Sequence, residues 1–365
     1  MTLHDGLVER DSLERKTDTN LAPEDHLRVE AGDIAYNMMR MWQGASGLAR
    51  YPALVSPAYV VLKPTPRIDP LFAAYLFKSS RMIYLLWAYS YGLTSDRLRL
   101  YFDDFSLIPV DLPPIEEQRR IAEILATWDR AIDTTEKLIV ASEAQKKALM
   151  QQLLTGEKRL PGFEGKWLAI KLSAAVQVDP ETLSEATSPD FGFRYISLSE
   201  VADGEVANKL SQMRFGNAPS RARKIVRQGD IIMSTVRPNL QGFAKIRRSD
   251  ADLVASTGFA VLRATPKADI DFILHWLFSE SVSRQLHGLV AGSNYPAVST
   301  KEVKALELYC PPLDEQRAVA LRLNIADRNA TILRQKLQTL RTEKAALMQQ
   351  LLTGKRRVNI KEMAA

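Results

Sequence analysis

The chain repeats itself at a fixed distance. Residues 113–119 read PPIEEQR, and residues 311–317 read PPLDEQR, 198 positions later. Residues 148–156 return letter for letter as residues 346–354, at the same offset. Of the 44 positions in residues 113–156, 19 are identical in the second copy, mostly at the two ends. Because the middle varies in residues but not in length, the repeat predicts a doubled protein whose repeated segment has a constrained length.

Each copy combines a variable domain with this constant segment. Upstream of the block, Gly32-Asp33-Ile34 matches residues 229–231, and residues 62–66 resemble residues 262–266. The first copy is shorter at its start, because residues 6–8 align with residues 204–206 and about thirty residues, from near Trp167 to Ser197, have no counterpart. The predicted organisation is a variable domain at 1–112, a helix at 113–156, a variable domain at 157–310, a helix at 311–356 and a tail at 357–365.

The repeated block predicts a long helix. Residues 115–153 contain no Gly or Pro, and Gly156 supplies a stop. Apolar residues recur in steps of four and three, as in a heptad repeat, and they are Ile121, Leu125, Trp128, Ile132, Leu149 and Leu153 in the first copy and Leu323, Leu333, Leu337, Leu340, Leu347 and Leu351 in the second. A helix of about 55 to 60 Å needs a partner to cover such a stripe. We therefore expect the two helices to pair as an antiparallel coiled coil, with pseudo-twofold symmetry and one domain at each end.

The variable domains have a mixed α/β (α+β) pattern. In the second, β-rich runs at residues 230–236 and 259–262 precede an amphipathic stretch from Ile270 to Gly288. In the first, a β-rich run at residues 59–62 precedes a helical stretch from Leu71 to about Ser90. Each of these stretches predicts one helix.

Metal, disulfide and membrane functions find little support. Cys310 is the single cysteine, and the four histidines, His4, His26, His275 and His287, have no zinc-ligand spacing. For His275 and His287, packed or surface positions are favoured over ligand or acid–base roles. Because no apolar run of eighteen residues and no leader pattern is seen, the sequence predicts a cytoplasmic protein without a membrane partner.

Basic residues cluster in the variable domains. The net charge of +6 favours polyanions only modestly. The candidate nucleic-acid contacts are Arg221, Arg223, Lys224, Arg237, Asn239, Lys245, Arg247, Arg248, Asn294 and Tyr295 in the second domain and Arg40, Gln43, Lys63 and Arg67 in the first. On pattern alone, a solvated face explains them as well as phosphate contact does, and Arg237 and Asn239 are also candidates to read bases.

The common motifs of DNA enzymes are not found. A methyltransferase would need a Gly-rich cofactor loop and an Asn/Asp-Pro-Pro-Tyr type motif, and a motor would need Gly-x-x-x-x-Gly-Lys-Ser/Thr. Residues 293–296 and 156–158 match neither pattern. No catalytic residue can be named, so we expect a chain that is not an enzyme by itself.

The doubled block resembles the specificity subunit of type I restriction-modification systems. Residues 158–163 and Trp167 also resemble that family's entry to its second target-recognition domain. The resemblance implies that residues 1–112 and 157–310 are target-recognition domains, each reading half of a bipartite target in double-stranded DNA. The helices would set the gap and bind two modification subunits. Restriction subunits would complete the complex, and S-adenosylmethionine, ATP and Mg would bind only to the partner subunits, with no cofactor on this chain.

The shortened first domain departs from the family pattern. A start codon placed late, a naturally trimmed domain, or completion by the tail from Lys355 to Ala365 would each explain it. Two other functions also stay open. A coiled-coil adaptor would hold proteins without reading DNA, and an enzyme with an unrecognised site would act on DNA alone.

Overall fold

The computed structural model of the chain describes residues 1–3, 6–12, 21–94, 96–202, 204–249, 252–290 and 296–359. The chain forms two compact units. The first comprises Met1–Leu138 and Leu333–Ala365, and the second comprises Ile139–Ile332. Each unit therefore contains one variable domain and parts of both repeated helices.

The first variable domain is built from short strands followed by short helices. The strands are β1 (Leu27–Val29), β2 (Ile34–Asn37), β3 (Ser46–Leu48), β4 (Ala53–Val55) and β5 (Tyr59–Leu62). The helices are α1 (Pro70–Leu76), α2 (Ser80–Ala88) and α3 (Phe102–Ser106), and they are followed by the long helix α4 (Ile115–Leu154). The sheet order is β3-β2-β5, all antiparallel, with a separate β1-β4 pair. The core packs β2 residues Ile34 and Tyr36 against α1 and α2.

The second variable domain has more strands. They are β6 (Leu168–Lys171), β7 (Val176–Val178), β8 (Gly192–Ile196), β9 (Val201–Ala202), β10 (Glu205–Val206), β11 (Ser211–Arg214), β12 (Ala222–Val226), β13 (Ile231–Ser234), β14 (Phe243–Lys245), β15 (Leu253–Ser256), β16 (Phe259–Ala264) and β17 (Glu307–Cys310). Its helices are α5 (Leu172–Ala175), α6 (Ile270–Leu277), α7 (Glu280–Val290) and α8 (Thr300–Ala305), and the second long helix is α9 (Leu313–Leu351).

Two four-stranded sheets organise this domain. Their orders are β14-β13-β16-β7 and β11-β8-β15-β12, and β6 pairs separately with β17. Strands β13, β14 and β16 correspond in order and pairing to β2, β3 and β5. Strand β13 is buried along its whole length, as expected for an apolar run in the middle of a sheet. The predicted mixed α/β architecture of two domains related by a repeat is confirmed.

The stretches at Leu71–Ser90 and Ile270–Gly288, each expected to be one helix, are two helices each. Helix α1 ends at Leu76 and α2 begins at Ser80, while α6 ends at Leu277 and α7 begins at Glu280. Ser79 and Ser279 explain the breaks, since each hydroxyl accepts a hydrogen bond from the backbone N–H three residues on, at 3.3 and 3.4 Å. A serine in this role starts a new helix instead of continuing the old one.

The two long helices contain 40 and 39 residues. In each, a buried glutamine near the start holds the preceding domain. Gln118 accepts from the Asp69 N–H at 2.9 Å and donates to the carbonyls of Arg67 and Pro113, and Gln316 accepts from the Asp269 N–H at 2.9 Å. Beyond the helix ends, Gly156 and Gly354 adopt φ values of 75° and 70°, a left-handed conformation that glycine accepts without strain.

The helices pair antiparallel within each unit. In the first, Ile121 and Leu125 of α4 share a buried cluster with Leu347 and Leu351 of α9. In the second, Leu149 and Leu153 of α4 pack in the same cluster as Leu323. The other heptad positions, Trp128, Ile132, Leu333, Leu337 and Leu340, are half-buried. The stripe therefore faces the opposite helix and the variable domains, as a heptad pattern requires.

Candidate nucleic-acid interface

Arg237 lies in a strained turn directly after β13. It has φ 48° and ψ 54°, and its backbone N–H donates to the Pro296 carbonyl at 2.7 Å. A 3-10 turn, Pro238–Leu240, follows, and Gln241 is also left-handed at φ 52°. Both Arg237 and Asn239 are exposed. Left-handed non-glycine residues are uncommon and cluster at functional sites, so this turn is a candidate contact surface.

The first unit has a 3-10 turn at the equivalent position after β2, where Arg40 has φ −136°. Arg40 precedes a 3-10 turn, Met41–Gln43, and Gly44 takes the left-handed position at φ 82°. Arg40 therefore occupies the position of Arg237, 197 residues earlier. Its Nε donates to Gln43 Oε1 at 3.1 Å, and both side chains are exposed. One exposed arginine thus stands at the same place in both domains.

A second loop lies beside each arginine turn. In the first unit, Tyr91 and Arg99 close the loop with two backbone hydrogen bonds, and the Leu100 N–H donates to Met38 O at 2.9 Å, two residues before Arg40. In the second unit, Val236 bridges to Ala297. Asn294 and Tyr295, predicted to contact nucleic acid, lie in residues 291–295, outside the described part of the chain.

The first of these loops offers aromatic and basic groups to solvent. Tyr91 is exposed and lies 5.8 Å from the Tyr101 ring, while the Arg99 Nη1 donates to the Tyr101 hydroxyl at 3.4 Å. Gly92 is required for the tight closure, since a Cβ there would lie 2.3 Å from the Arg97 carbonyl oxygen. Planar rings and guanidinium groups suit stacking on bases and binding of phosphates.

Three of the predicted basic contacts are engaged inside the second domain. Lys224 forms an ion pair with Asp179, and Lys245 pairs with Asp271 at 2.6 Å. Both lysine side chains are mostly buried. Arg223 lies over the Phe215 ring at 4.8 Å. These contacts favour a structural role for the three side chains.

The remaining predicted contacts are more accessible. Arg221, Lys63 and Arg67 are exposed. Arg247 forms a solvent-exposed ion pair with Glu205 at 3.4 Å, and Arg248 donates to the carbonyls of residues 207 and 208 at 3.3 and 3.0 Å. Such surface contacts are weak and leave the side chains able to exchange partners.

A partly buried charge network supports the base of the arginine turn and was not anticipated from the sequence. Arg263 donates to Asp230 at 2.8 and 2.9 Å and also pairs with Glu181, which binds Arg227 at 2.5 Å. Hydrogen bonds from Arg263 and then Arg227 hold the pKa of Glu181 below its ordinary value. Asp230 directly precedes β13, so the network fixes the strand that presents Arg237. The Gly-Asp-Ile triplet that recurs in both copies was the sequence feature that could have indicated this network.

Equivalent polar junctions join each domain to the helix pair. In the first unit, the Tyr75 hydroxyl donates to Asp129 at 2.5 Å, and Lys344 pairs with the same carboxylate while lying over the Tyr75 ring. Asp129 is on α4 and Lys344 is on α9, so the ion pair crosses the helices. Carboxylate and ammonium here bind the two helices and one domain together.

The second unit repeats this junction with a histidine. Lys146 of α4 pairs with Asp327 of α9 at 2.5 Å, and the buried His275 lies 3.9 Å from Asp327 and 2.9 Å from the amide oxygen of Asn324. Burial lowers the pKa of His275. The aspartates are 198 positions apart, as are the lysines, and they are among the few identities in the variable middle of the repeat. Those isolated identities were the signal for both ion pairs.

A reciprocal contact closes each end of the helix pair. Glu315, at the start of α9, accepts from Arg159 at 2.6 and 3.0 Å and from Trp167 Nε1 at 3.0 Å. Glu117, at the start of α4, accepts from Arg357 at 2.6 to 3.0 Å and from the Val358 N–H at 3.2 Å. Arg357 thus repeats the role of Arg159, and its hydrogen bonds lower the pKa of Glu117. Part of the tail, at Arg357 and Val358, therefore packs onto the first domain's helix.

Within the described ranges, no three His, Cys, Asp or Glu side chains gather as metal ligands would. No helix in that same part of the chain has the length and apolar character needed to cross a bilayer. Burial raises the pKa of the Cys310 thiol to about 11.

Comparison with known proteins decides the family. The sequence profile described as "Type I restriction modification DNA specificity domain" matches residues 18–142 and 208–342, more than half of the chain. The chain belongs to this family. The resemblance noted in the repeated block is thereby confirmed.

Individual relatives agree with the profile. The type I restriction enzyme MjaVIII specificity subunit of Methanocaldococcus jannaschii is 28% identical over 70% of this chain and 63% of its own length. This chain thus spans less than two thirds of that relative. The MjaX specificity subunit of the same organism is 25% identical over 91% of this chain and 80% of the relative.

Solved structures share the fold of this specificity-domain protein. The HsdS subunit from Thermoanaerobacter tengcongensis superposes with a TM-score of 0.51 at 19% identity, covering 91% of this chain and 82% of that one. The type I restriction-modification S subunit from M. genitalium gives 0.57 at 15% identity, covering 88% and 83%. These identities are low, so the likeness concerns the fold alone.

Proposed function

We propose that this chain is the DNA-reading specificity subunit of a type I restriction-modification complex. One observation carries the proposal: an exposed arginine, Arg40 or Arg237, directly precedes the equivalent turn in both domains of a doubled specificity-domain protein. A protein that reads two half-sites needs equivalent contact surfaces in its two domains. The match of the DNA specificity-domain profile to both copies, at residues 18–142 and 208–342, favours this function over the adaptor alternative.

The chemistry of the two turns suits a DNA groove. An arginine guanidinium can donate two parallel hydrogen bonds to guanine O6 and N7, and asparagine can do the same with adenine. Arg237 precedes one turn and Asn239 lies within it, and Arg40 precedes the other turn and Gln43 lies within it. The surrounding exposed cations, Arg221, Lys63 and Arg67, would contact phosphates and orient the domains without reading sequence.

One surface of each helix would contact the other helix and so set the gap between the two half-sites, while other surfaces would bind the partner subunits. The heptad residues lie between the helices, with Leu125 and Leu323 fully buried. A partner would therefore dock on other faces of the helices. Helix α9 exposes an apolar stripe of suitable chemistry at Leu321, Ile325 and Ile332. Two modification subunits are the partners we assign to the helix pair, with restriction subunits joining the same complex.

Catalysis would reside in the partner subunits. Modification subunits would transfer methyl groups from S-adenosylmethionine to adenine, and restriction subunits would use ATP and Mg to translocate and cut DNA. This chain would determine which DNA sequence the complex binds and would hold no cofactor. Its place of action would be the cytoplasm, with double-stranded DNA as the ligand.

Adenine-methylation mapping tests the proposal directly. A host carrying this chain and its neighbouring modification subunit is sequenced with single-molecule long reads and compared with a strain lacking this chain. We expect one bipartite methylated motif with a fixed gap, and its disappearance on deletion. An unchanged methylation pattern would reject DNA reading and favour the adaptor function.

A further inference from the structure

Lys78 joins three separate parts of the first variable domain. It lies between α1 and α2 and directly precedes Ser79, the residue that starts α2. The side chain is half-buried, and its Nζ donates to the Gly44 carbonyl at 2.7 Å and to the Leu3 carbonyl at 2.8 Å. These acceptors are 34 and 75 positions away in the sequence, so one ammonium group ties the connection between two helices to a distant turn and a distant segment.

The turn that Lys78 contacts is the one that follows Arg40. Gly44 closes this turn at φ 82°, and its N–H donates to the Met41 carbonyl at 2.7 Å. The Gly44 carbonyl accepts from the Ser46 N–H at 2.8 Å as well as from Lys78. Because glycine adopts left-handed and right-handed conformations about equally readily, a turn closed by glycine is not held in shape by its own backbone preference. Contacts from outside the turn therefore select the conformation in which Arg40 is exposed.

The second acceptor, Leu3, lies in a segment that packs closely on β3. The Thr2 N–H donates to the Gly6 carbonyl at 2.9 Å, and a Cβ on Gly6 would lie only 2.9 Å from Gly47 Cα in β3. Glycine at both positions allows this close approach. Since β3 follows the turn directly, Lys78 holds both the turn and the segment that covers the next strand.

The second unit fills the equivalent place with an aromatic ring. Phe278 stands 200 positions after Lys78 and, like it, directly before the serine that starts the next helix. Its ring lies 5.5 Å from the ring of Phe243, between centroids. A Cβ on Gly204, which aligns with Gly6, would lie 3.9 Å from the same ring. Apolar packing thus takes the place of the two ammonium hydrogen bonds.

The two arginine turns differ accordingly in what holds them. Gln241 is left-handed at φ 52° and stands 197 positions after Gly44, the same interval that separates the two arginines. Its carbonyl accepts from the N–H of Phe243, whose fully buried side chain contacts Phe278. A buried apolar contact therefore supports the second turn, while a polar contact from one side chain supports the first.

We propose that Lys78 is a positioning residue for recognition of the first half-site. Its ammonium group holds the Gly44 carbonyl and so fixes the turn from which Arg40 reaches its base. The inference rests on the proposed function, because it assigns Lys78 to the half-site that Arg40 reads. An ammonium group has three N–H donors, and two of them are used inside the domain, which favours this role over contact with a DNA phosphate.

Hydrogen exchange of the full chain without DNA tests whether Lys78 holds the turn. Lys78→Met keeps an unbranched apolar side chain but removes the donors. In a peptide covering residues 41–48, we expect exchange about tenfold faster than in the unsubstituted chain, with Lys78→Arg restoring most of the protection. A peptide covering residues 238–245 is the internal control and should be unchanged. Equal exchange at residues 41–48 in Lys78→Met and the unsubstituted chain would overturn the inference.

Methylation by the assembled complex tests whether the turn sets specificity. The substrates are the cognate duplex and duplexes changed at one base pair of either half-site, and Arg40→Ala and Arg237→Ala assign the half-sites to the domains. From the kcat/KM ratios, we expect Lys78→Met to lose about tenfold in discrimination against changes in the first half-site. Discrimination in the second half-site should be kept, and Lys78→Arg should recover most of the loss.

Two control variants separate positioning from other roles. Glu117→Gln should weaken the first unit without contacting the turn, so an effect of lower stability alone would appear in this variant as well. Lys301→Met removes an exposed cation of the second domain and should change neither half-site.

The outcomes distinguish the inference from the proposed function. Weaker binding of every duplex with unchanged discrimination would make Lys78 a phosphate contact and overturn the inference. Equal loss of discrimination in Glu117→Gln would also overturn it. An unsubstituted complex that methylates no bipartite motif would instead reject the proposed function and with it the half-site assignment, and the exchange result would still show whether Lys78 holds the turn.

Discussion

Arg40 and Arg237 are equivalent residues, although the repeat offset of 198 does not pair them. They are 197 positions apart, because the second copy has one more residue than the first between this arginine and the helix block. Both were singled out as basic residues on variable domains, but their equivalence came from the strands that precede them. Spacing in sequence identifies equivalent residues only where no insertion intervenes.

Loss of Arg237 should affect one half-site. For Arg237→Ala in the assembled complex, we expect binding to a cognate duplex to weaken by about 1 to 3 kcal/mol if the guanidinium reads a base. Duplexes altered in one half-site at a time locate the effect, and Arg40→Ala should act on the other half. Lys301→Ala, an exposed cation on α8, is the control. An equal loss on every duplex would instead make Arg237 a phosphate contact.

Glu117 should make the first unit sensitive to acid. Its folded pKa lies below the ordinary value of 4.5 because Arg357 donates to the carboxylate. The stabilisation is therefore present above about pH 4.5 and is lost as the pH falls through the lowered folded pKa. We expect Glu117→Gln to lower the stability at pH 7 and to flatten its decline between pH 5 and pH 3, as measured by urea unfolding at each pH. Glu116→Gln, at an exposed neighbour, should leave the decline unchanged.

At the scale of elements, the repeated helices were the most predictable part. The absence of Gly and Pro, the heptad steps and the following glycine predicted both helices to within a few residues and also their antiparallel pairing. The breaks at Ser79 and Ser279 were missed because apolar periodicity continues across them. Burial and capping depend on contacts that periodicity does not encode.

The candidate site was predictable only in part. The exposed arginines were found from residue type, but the engagement of Lys224 and Lys245 with Asp179 and Asp271 was not, because those partners are 45 and 26 positions away in sequence. Long-range ion pairs arise from strand pairing, which one sequence does not specify. The networks around Asp230 and Asp129 were not predicted, for the same reason.

The cross-helix ion pair between Asp129 and Lys344 should be exchangeable. We expect Asp129→Lys alone to destabilise the first unit by about 1 kcal/mol through like-charge repulsion, since the pair is partly exposed. Adding Lys344→Asp should restore much of the loss. A double-mutant cycle by urea unfolding measures the coupling. If the double variant loses as much free energy of unfolding as the two single variants lose together, the pair has no coupling energy.

Buried and exposed leucines on α9 should separate folding from partner docking. Leu323 is fully buried, so Leu323→Asp should destabilise the protein by several kcal/mol, by burying an unpaired charge and leaving part of a core site empty. Leu321 is 61% exposed, so Leu321→Asp should leave the unfolding midpoint unchanged and weaken binding of the modification subunit.

Thermal unfolding and co-purification of the two subunits read out these effects. Intact assembly with Leu321→Asp and Ile325→Asp combined would exclude this stripe as the docking face.

For the whole molecule, the length of the helix pair should determine the length of the gap between the two half-sites. One heptad inserted after Leu138 in α4 and another after Ile332 in α9 lengthen the paired helices by about 10 Å, at 1.5 Å per residue. With base pairs stacked at about 3.4 Å, we expect the gap of the methylated motif to grow by about three base pairs while both half-sites stay the same. Methylation mapping reads the result. An insertion in one helix alone should abolish methylation. A gap of unchanged length in the variant with both insertions would contradict the prediction that the helix pair sets the gap.

The local structure beyond each long helix is the same. Lys158 N–H donates to Gln152 O, and Arg356 N–H donates to Gln350 O, both at 3.1 Å, before Arg159 and Arg357 reach their glutamates. The nine identical residues that precede these contacts make the two joints interchangeable. A genetic crossover within that stretch would transmit a complete domain with its helix and keep the arginine–glutamate ion pair at the joint. On the proposed function, such a gene would acquire a new half of its target in one recombination event, without first passing through a misfolded product.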